Sequence, residues 1–181
     1  VDLICTSPPY GDNSTTVTYG QYSMLPLYWI DKSDLGKFDE QLIANYSSID
    51  SNSLGGNQRV RNSFESSVLN DFLSRIDEKK QNKVKNFVLD FLNVMTELVR
   101  VLKVGKYIVL TLGDRRVDNQ VVPLSTITTE YLESNGFILE KAITRNIPKK
   151  RMPRKVSKVG GNSVESMNQE HVLILKKVEN R

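Results

Sequence analysis

The sequence predicts an α/β fold, a sheet with helices covering its faces. Three observations lead there. The apolar segments run in the order strand, polar insertion, helix, strand, helix, strand, strand, and such alternation is the signature of layered α/β architecture. One helix has a single apolar stripe, with Val84, Phe87, Val88, Phe91, Leu92, Met95, Leu98, Val99 and Leu102 at steps of three and four. The segment directly after it, Tyr107-Ile108-Val109-Leu110-Thr111-Leu112, is a near-continuous β run, the pattern of a strand buried on both faces.

At the start of the chain, Val1, Leu3, Ile4 and Cys5 read as a short buried strand. It stops at Thr6-Ser7-Pro8-Pro9-Tyr10-Gly11. Proline lacks a backbone N–H, and the residue before it is pushed out of the helical region. Ser7 to Pro9 therefore leave the strand as a stiff, extended segment with carbonyls that find little local pairing. At the carboxyl end of a parallel strand, that places acceptors, a hydroxyl and a ring where open α/β sheets bind ligands. Gly11 to Thr16 is small and polar, a flexible loop. Next, Tyr19, Tyr22, Met24, Leu25, Leu27, Tyr28, Trp29 and Ile30 cluster. They form either a hydrophobic helix packed beside the site or rings lining a pocket, with Tyr19 and Tyr22 the better placed for contact with a base.

Residues 31–81 read as a partly helical insertion over the active face, long enough for a lid or binding loop. Within it, Phe64, Val68, Leu69, Phe72 and Ile76 have helical spacing behind Ser63 as N-cap. Gly105 closes the long helix in a left-handed position. The β run after it stops at Gly113-Asp114. Asp114 is either a group that orients a ligand at the sheet edge or a turn and N-cap carboxylate. Pro123 opens a helix closed by Asn135-Gly136, and strands follow over Phe137–Ile147 and Glu170–Val178. Between those strands, a basic loop over 148–169 carries Lys149, Lys150, Arg151, Arg154, Lys155 and Lys158, with no acid among those six. Cations of one sign in a loop suit phosphate contact, because they release counterions from a nucleic-acid backbone.

Composition sets outer bounds. At 181 residues and 39% hydrophobic content, one domain or a large part of one is expected. No apolar run reaches the roughly 20 residues needed to span a bilayer. Net charge of +4 favours an anionic partner. One Cys and one His exclude an internal disulfide and argue against zinc. Cys5, expected to be buried, fits an intracellular, cytoplasmic setting.

Thr6-Ser7-Pro8-Pro9-Tyr10 resembles the TSPPY catalytic motif of the S-adenosylmethionine-dependent amino-methyltransferases that modify DNA bases, most closely those acting on the N4 amine of cytosine. The resemblance extends over nearly the whole chain apart from the insertion. It implies the C-terminal half of a Rossmann-like methyltransferase sheet, mostly parallel with an antiparallel final strand and helices on both faces, as a partial catalytic domain. It also implies that Ser7, Pro8, Pro9 and Tyr10 are catalytic, and that Thr6, Ser7 and Asp114 lie near the cofactor. The Ser7 hydroxyl and Pro8 carbonyl would accept the amine hydrogens, and Tyr10 would stack on a flipped base. The proton leaving after transfer goes to Ser7, Asp12 or solvent.

The glycine-rich turn that holds the cofactor in this family does not occur in the sequence. Gly55-Gly56 and Gly160-Gly161 lie in polar loops with no strand before them. The expectation is therefore a chain that works with an N-terminal half or a complementary chain, is inactive alone, and exposes a sheet edge and an apolar face. Adenine-N6 methylation is the alternative on the same motif, since Ser before Pro-Pro marks cytosine-N4 imperfectly. An RNA methyltransferase and a non-catalytic nucleic-acid-binding module are the rivals from outside that reading.

Overall fold

A computed structural model describes residues 1–12, 18–35, 44–54, 64–113, 115–147, 155–159, 162–165 and 169–180. The elements in chain order begin with β1 (Leu3–Thr6), α1 (Gly20–Trp29), a short 3-10 turn, α2 (Tyr46–Ser51), α3 (Ser67–Ser74) and α4 (Glu78–Val101). They continue with β2 (Tyr107–Gly113), β3 (Arg116–Val117), β4 (Gln120–Val121), α5 (Leu124–Ser134), β5 (Phe137–Asn146), β6 (Lys155–Val159), β7 (Asn162–Glu165) and β8 (Gln169–Lys177).

The main sheet has the order β1-β2-β8-β5. β1 pairs parallel to β2, while β8 pairs antiparallel to both β2 and β5. Three strands therefore run one way, and the last strand in sequence is inserted between two of them in the opposite sense. This is the expected mixed sheet with an antiparallel final strand.

Alternation along β2 separates two faces. Ile108, Leu110 and Leu112 are fully buried and share a core with Phe87, Phe91, Leu92 and Met95 of α4, and Leu124, Ile127 and Leu132 of α5. Leu173 and Leu175 of β8 join the same core, opposite Leu110 and Ile108. Burying each such side chain contributes about 1.5–3 kcal/mol. The helices that share this core, α3, α4 and α5, cover this face. The opposite face presents Leu3, Tyr107, Ile138 and Ile143 to solvent. Lys176 of β8 lies over the Tyr107 ring there, 5.7 Å from its centroid.

The first strand corrects the reading of a buried strand. Among the described residues β1 is an edge strand, Leu3 is 60% exposed, and Cys5 is exposed too. Its apolar residues face away from the core, apart from the half-buried Ile4, which packs against it.

α4 begins at Glu78, earlier than its apolar stripe, because Asp77 caps it by accepting from the Lys79 N–H. Its far end is capped from another element. Buried Lys177 donates from Nζ to the carbonyls of Val99 (2.7 Å) and Leu102 (3.0 Å), placing a cation on orphan acceptors at a helix C-terminus. α3 is capped by Ser66, whose Oγ accepts from Leu69 N and donates to Glu130; Ser63, the expected cap, lies outside the described residues. Leu69, Phe72, Leu73 and Ile76 sit in the main core. Gly105 (φ +80°) and Gly136 (φ +83°) have the left-handed conformation expected of them.

Two antiparallel ribbons went unread in the sequence. β3 and β4 join through Asp118 and Asn119, both at positive φ, the geometry of a tight hairpin turn. Asp118 accepts from the Asp77 N–H and from Lys80, tying this hairpin to the start of α4. The second ribbon, β6 with β7, lies where a basic loop was expected. No helix among the described residues is long and apolar enough to cross a membrane.

Candidate active site

The parallel pairing of β1 with β2, from Leu3 opposite Tyr107 to Thr6 opposite Leu110, brings their carboxyl ends to one edge of the sheet. Ser7 leaves β1 at that edge with its side chain exposed, and Pro8 and Pro9 turn the chain inward to half-buried Tyr10. The Ser7 Oγ and the Tyr10 hydroxyl are 2.9 Å apart. From there Tyr10 reaches across the end of β2 to β8, where its hydroxyl donates to Glu170 Oε1 at 3.3 Å. Glu170 sits opposite Gly113 of β2 on one side and Arg145 of β5 on the other. Arg145 grips its second oxygen, with Nε at 2.8 Å and Nη2 at 2.6 Å from Oε2. A chain of contacts thus runs Ser7, Tyr10, Glu170, Arg145 along the carboxyl edge of three strands.

Burial pushes the Tyr10 phenol above the ordinary tyrosine value. The Ser7 hydrogen bond opposes that shift, and the negative charge of Glu170 adds to it. Tyr10 is therefore a protonated donor across the neutral range.

Two residues on, Asp12 is 1% exposed. Arg115, just beyond β2, donates from Nη1 to its Oδ2 at 2.7 Å, and Lys83 of α4 lies 3.2 Å from its Oδ1. This buried carboxylate pins the turn after the motif to the exit of β2 and to the long helix. With a cation on each oxygen, Asp12 anchors this turn.

A family profile for DNA methylases, covering N6 and N4 methyltransferases, matches residues 1–181. The chain belongs to this DNA methylase family. It is 33% identical over 193 aligned residues to the type II methyltransferase M.MvaI of Kocuria varians, with 99% of this chain and 41% of that protein aligned. The chain thus spans less than half the length of that relative. Among solved structures, a Thermus thermophilus protein assigned as a DNA modification methylase superposes with a TM-score of 0.40 at 17% identity, over 62% of this chain and 51% of that one.

The residues expected at the methylase site fall into three groups. Thr6, Ser7, Pro8, Pro9 and Tyr10 stand together at the carboxyl edge. Tyr19 and Tyr22 lie at the start of α1, both exposed, on a helix that also exposes Leu25, Tyr28 and Trp29. A helix packed by its apolar residues was one reading of this stretch. In the structure only Gly20 is buried, held by its N–H on Asp50 Oδ1 of α2 at 2.9 Å. Asp114, Lys149, Lys150, Arg151 and Arg154 lie outside the described residues, and Lys155 and Lys158 belong to β6.

Glu170, Arg145, Asp12 with Arg115, and Lys83 complete the arrangement. Of these, sequence reasoning had weighed Asp12 alone, and as a proton acceptor. Strand register and long-range ion pairing place the others, and no local motif marks them.

Proposed function

We propose that this chain forms the base-side part of a site-specific DNA amino-methyltransferase that moves a methyl group from S-adenosylmethionine to the exocyclic N4 amine of a flipped-out cytosine. The observation that carries the reading is the Ser7–Tyr10 pair, 2.9 Å apart on a proline-stiffened turn at the carboxyl end of β1. An exocyclic amine is a weak nucleophile because its lone pair is delocalised into the ring. Two acceptors on its hydrogens, the Ser7 oxygen and the Pro8 carbonyl, draw the nitrogen toward a tetrahedral shape and localise that pair. Tyr10 offers a ring for stacking, which offsets part of the few kcal/mol needed to extrude a base. Rate is gained mainly by positioning.

Bound S-adenosylmethionine supplies the methyl group on a sulfonium. The residues present fit only one side of it. Thr6 and Ser7 are exposed at the sheet edge, and Asp114 follows β2, but the sequence holds no Gly-x-Gly turn to cradle the cofactor. We infer that an N-terminal portion or a complementary chain brings that turn. Its supports are the edge position of β1 and the face bearing Leu3, Tyr107, Ile138 and Ile143, uncovered among the described residues. The 181-residue chain alone is expected to be inactive. The basic segment from Lys149 to Lys158, part of it in the β6–β7 ribbon, would follow the DNA backbone.

Mass spectrometry of nucleosides from DNA and RNA incubated with the full-length protein and S-adenosylmethionine tests the reading. N4-methylcytosine in DNA is the expected product. N6-methyladenine would reassign the base, a methylated ribonucleoside would reassign the polymer, and no product would favour a binding module. Ser7→Ala and Tyr10→Ala should abolish transfer and keep DNA binding; activity surviving both changes would sink the proposed roles.

A further inference from the structure

We propose that Glu170 is a positioning residue that fixes the direction of the Ser7–Tyr10 hydrogen bond, so that the Ser7 oxygen meets the target amine as an acceptor. This rests on the methyltransferase reading above and adds a residue to it.

Heavy-atom geometry alone leaves the Ser7–Tyr10 contact ambiguous, because either hydroxyl could donate. Glu170 removes the ambiguity. Paired through Oε2 with Arg145, it is a carboxylate and only accepts. Its Oε1 faces the Tyr10 hydroxyl at 3.3 Å. Tyr10 has one proton, and that proton points to Glu170. Ser7 must then donate to the Tyr10 oxygen, which leaves both Ser7 lone pairs directed away from Tyr10 and available to an amine. In the reverse order, Ser7 would aim its own proton at the amine hydrogens, and Glu170 would face a lone pair. The 3.3 Å separation is long for O–H···O, as hydrogen bonds of catalytic groups often are before substrate closes the site.

The burial of Tyr10 keeps its phenol protonated and so keeps the order intact, with Arg145 and Glu170 the charged groups acting on it. Arg145 and Glu170 come from adjacent strands in direct register, so the sheet itself holds the acceptor in place.

Glu170→Gln, nearly isosteric and able to donate, tests this in the full-length protein alongside Tyr10→Phe and the double variant. One readout is independent of catalysis. With tyrosines labelled at Cζ and the Tyr10 signal assigned by its loss in Tyr10→Phe, the Tyr10 titration midpoint should fall in Glu170→Gln while the other tyrosine signals stay in place. The second readout is methyl transfer. Glu170→Gln should lower kcat about ten-fold, which is ~1.4 kcal/mol in the barrier, with KM for DNA unchanged. In the Tyr10→Phe background the same substitution should have no further effect.

An unmoved Tyr10 midpoint overturns the proposal, and so does an equal kcat loss in both backgrounds. A wild type that methylates DNA beside a fully active Glu170→Gln defeats this inference alone. A wild type that transfers no methyl group defeats the underlying reading, and with it any role of Glu170 toward an amine.

Discussion

Replacing Asp12 should destabilise the fold more than any other single change near the candidate site. Its side chain is 2% exposed and that of Arg115 is 17% exposed, so this arm is a buried ion pair. Removing one partner of such a pair typically costs about 3–5 kcal/mol, because the other charge stays behind uncompensated. Partial exposure of Arg115 puts the cost at the low end, about 3 kcal/mol. The Lys83 arm has a 44% exposed ammonium, and solvent screening reduces it to about 0.5 kcal/mol. Asp12→Ala should therefore lose about 3–4 kcal/mol, and Asp12→Asn about 2, since the amide oxygen still accepts from Arg115.

Urea unfolding of the full-length protein would measure both, read as a lower midpoint at constant slope. In an Arg115→Met background, Asp12→Asn should cost at least about 1 kcal/mol less, the mark of coupled sites. A loss below about 1 kcal/mol for Asp12→Ala, or simple additivity with Arg115→Met, would refute the buried-pair argument. The same variant separates anchor from base. An anchor predicts about a ten-fold fall in methyl transfer for folded Asp12→Asn, whereas a general base predicts roughly a hundredfold or more.

Three further outcomes follow from other contacts. Lys177→Met removes two charged hydrogen bonds from the end of α4 and should cost about 2–3 kcal/mol in urea unfolding; a change under ~0.5 would count against the cap. A Cβ on Gly20 would stand 2.2 Å from the Tyr46 carbonyl oxygen, so Gly20→Ala should strip hydrogen-exchange protection from α1 and leave α4 protected. Tyr10 has a raised folded-state pKa, so its contribution to stability is full below the ordinary tyrosine value of 10.0 and is lost as pH rises through the higher folded value. Alkaline unfolding of wild type against Tyr10→Phe should therefore diverge only above that ordinary value.

Much of the fold was legible in the sequence. The α4 stripe and the β2 run carry their own periodicity, and Pro-Pro-Tyr after an apolar run marks the candidate site without help from distant residues. The exposure of β1 was not legible. Val1, Leu3 and Cys5 are the same residues whether their face is covered or open, and apolar content reports only that cover is favourable. The β6–β7 ribbon was hidden because a run of cations dominates its composition. The β3–β4 hairpin did leave a signal, Asp118-Asn119 between Val117 and Val121, which suits a turn with two positive φ values. Glu170 could not be picked out, because only the register that sets it against Gly113 and Arg145 gives it a partner in Tyr10.

The insertion of β8 between β2 and β5 has a consequence for the order of assembly. Tyr10 and Glu170 are 160 positions apart in sequence, so the motif meets its partner only after the chain from β1 to β8 has been made. Closing so long a loop is slow and comes late in folding. On a ribosome, Tyr10 would wait through the synthesis of α1 to β8 before it could reach Glu170. The Tyr10–Glu170 contact would then be among the last that this sheet acquires, and the first to go if its inner antiparallel strand slipped.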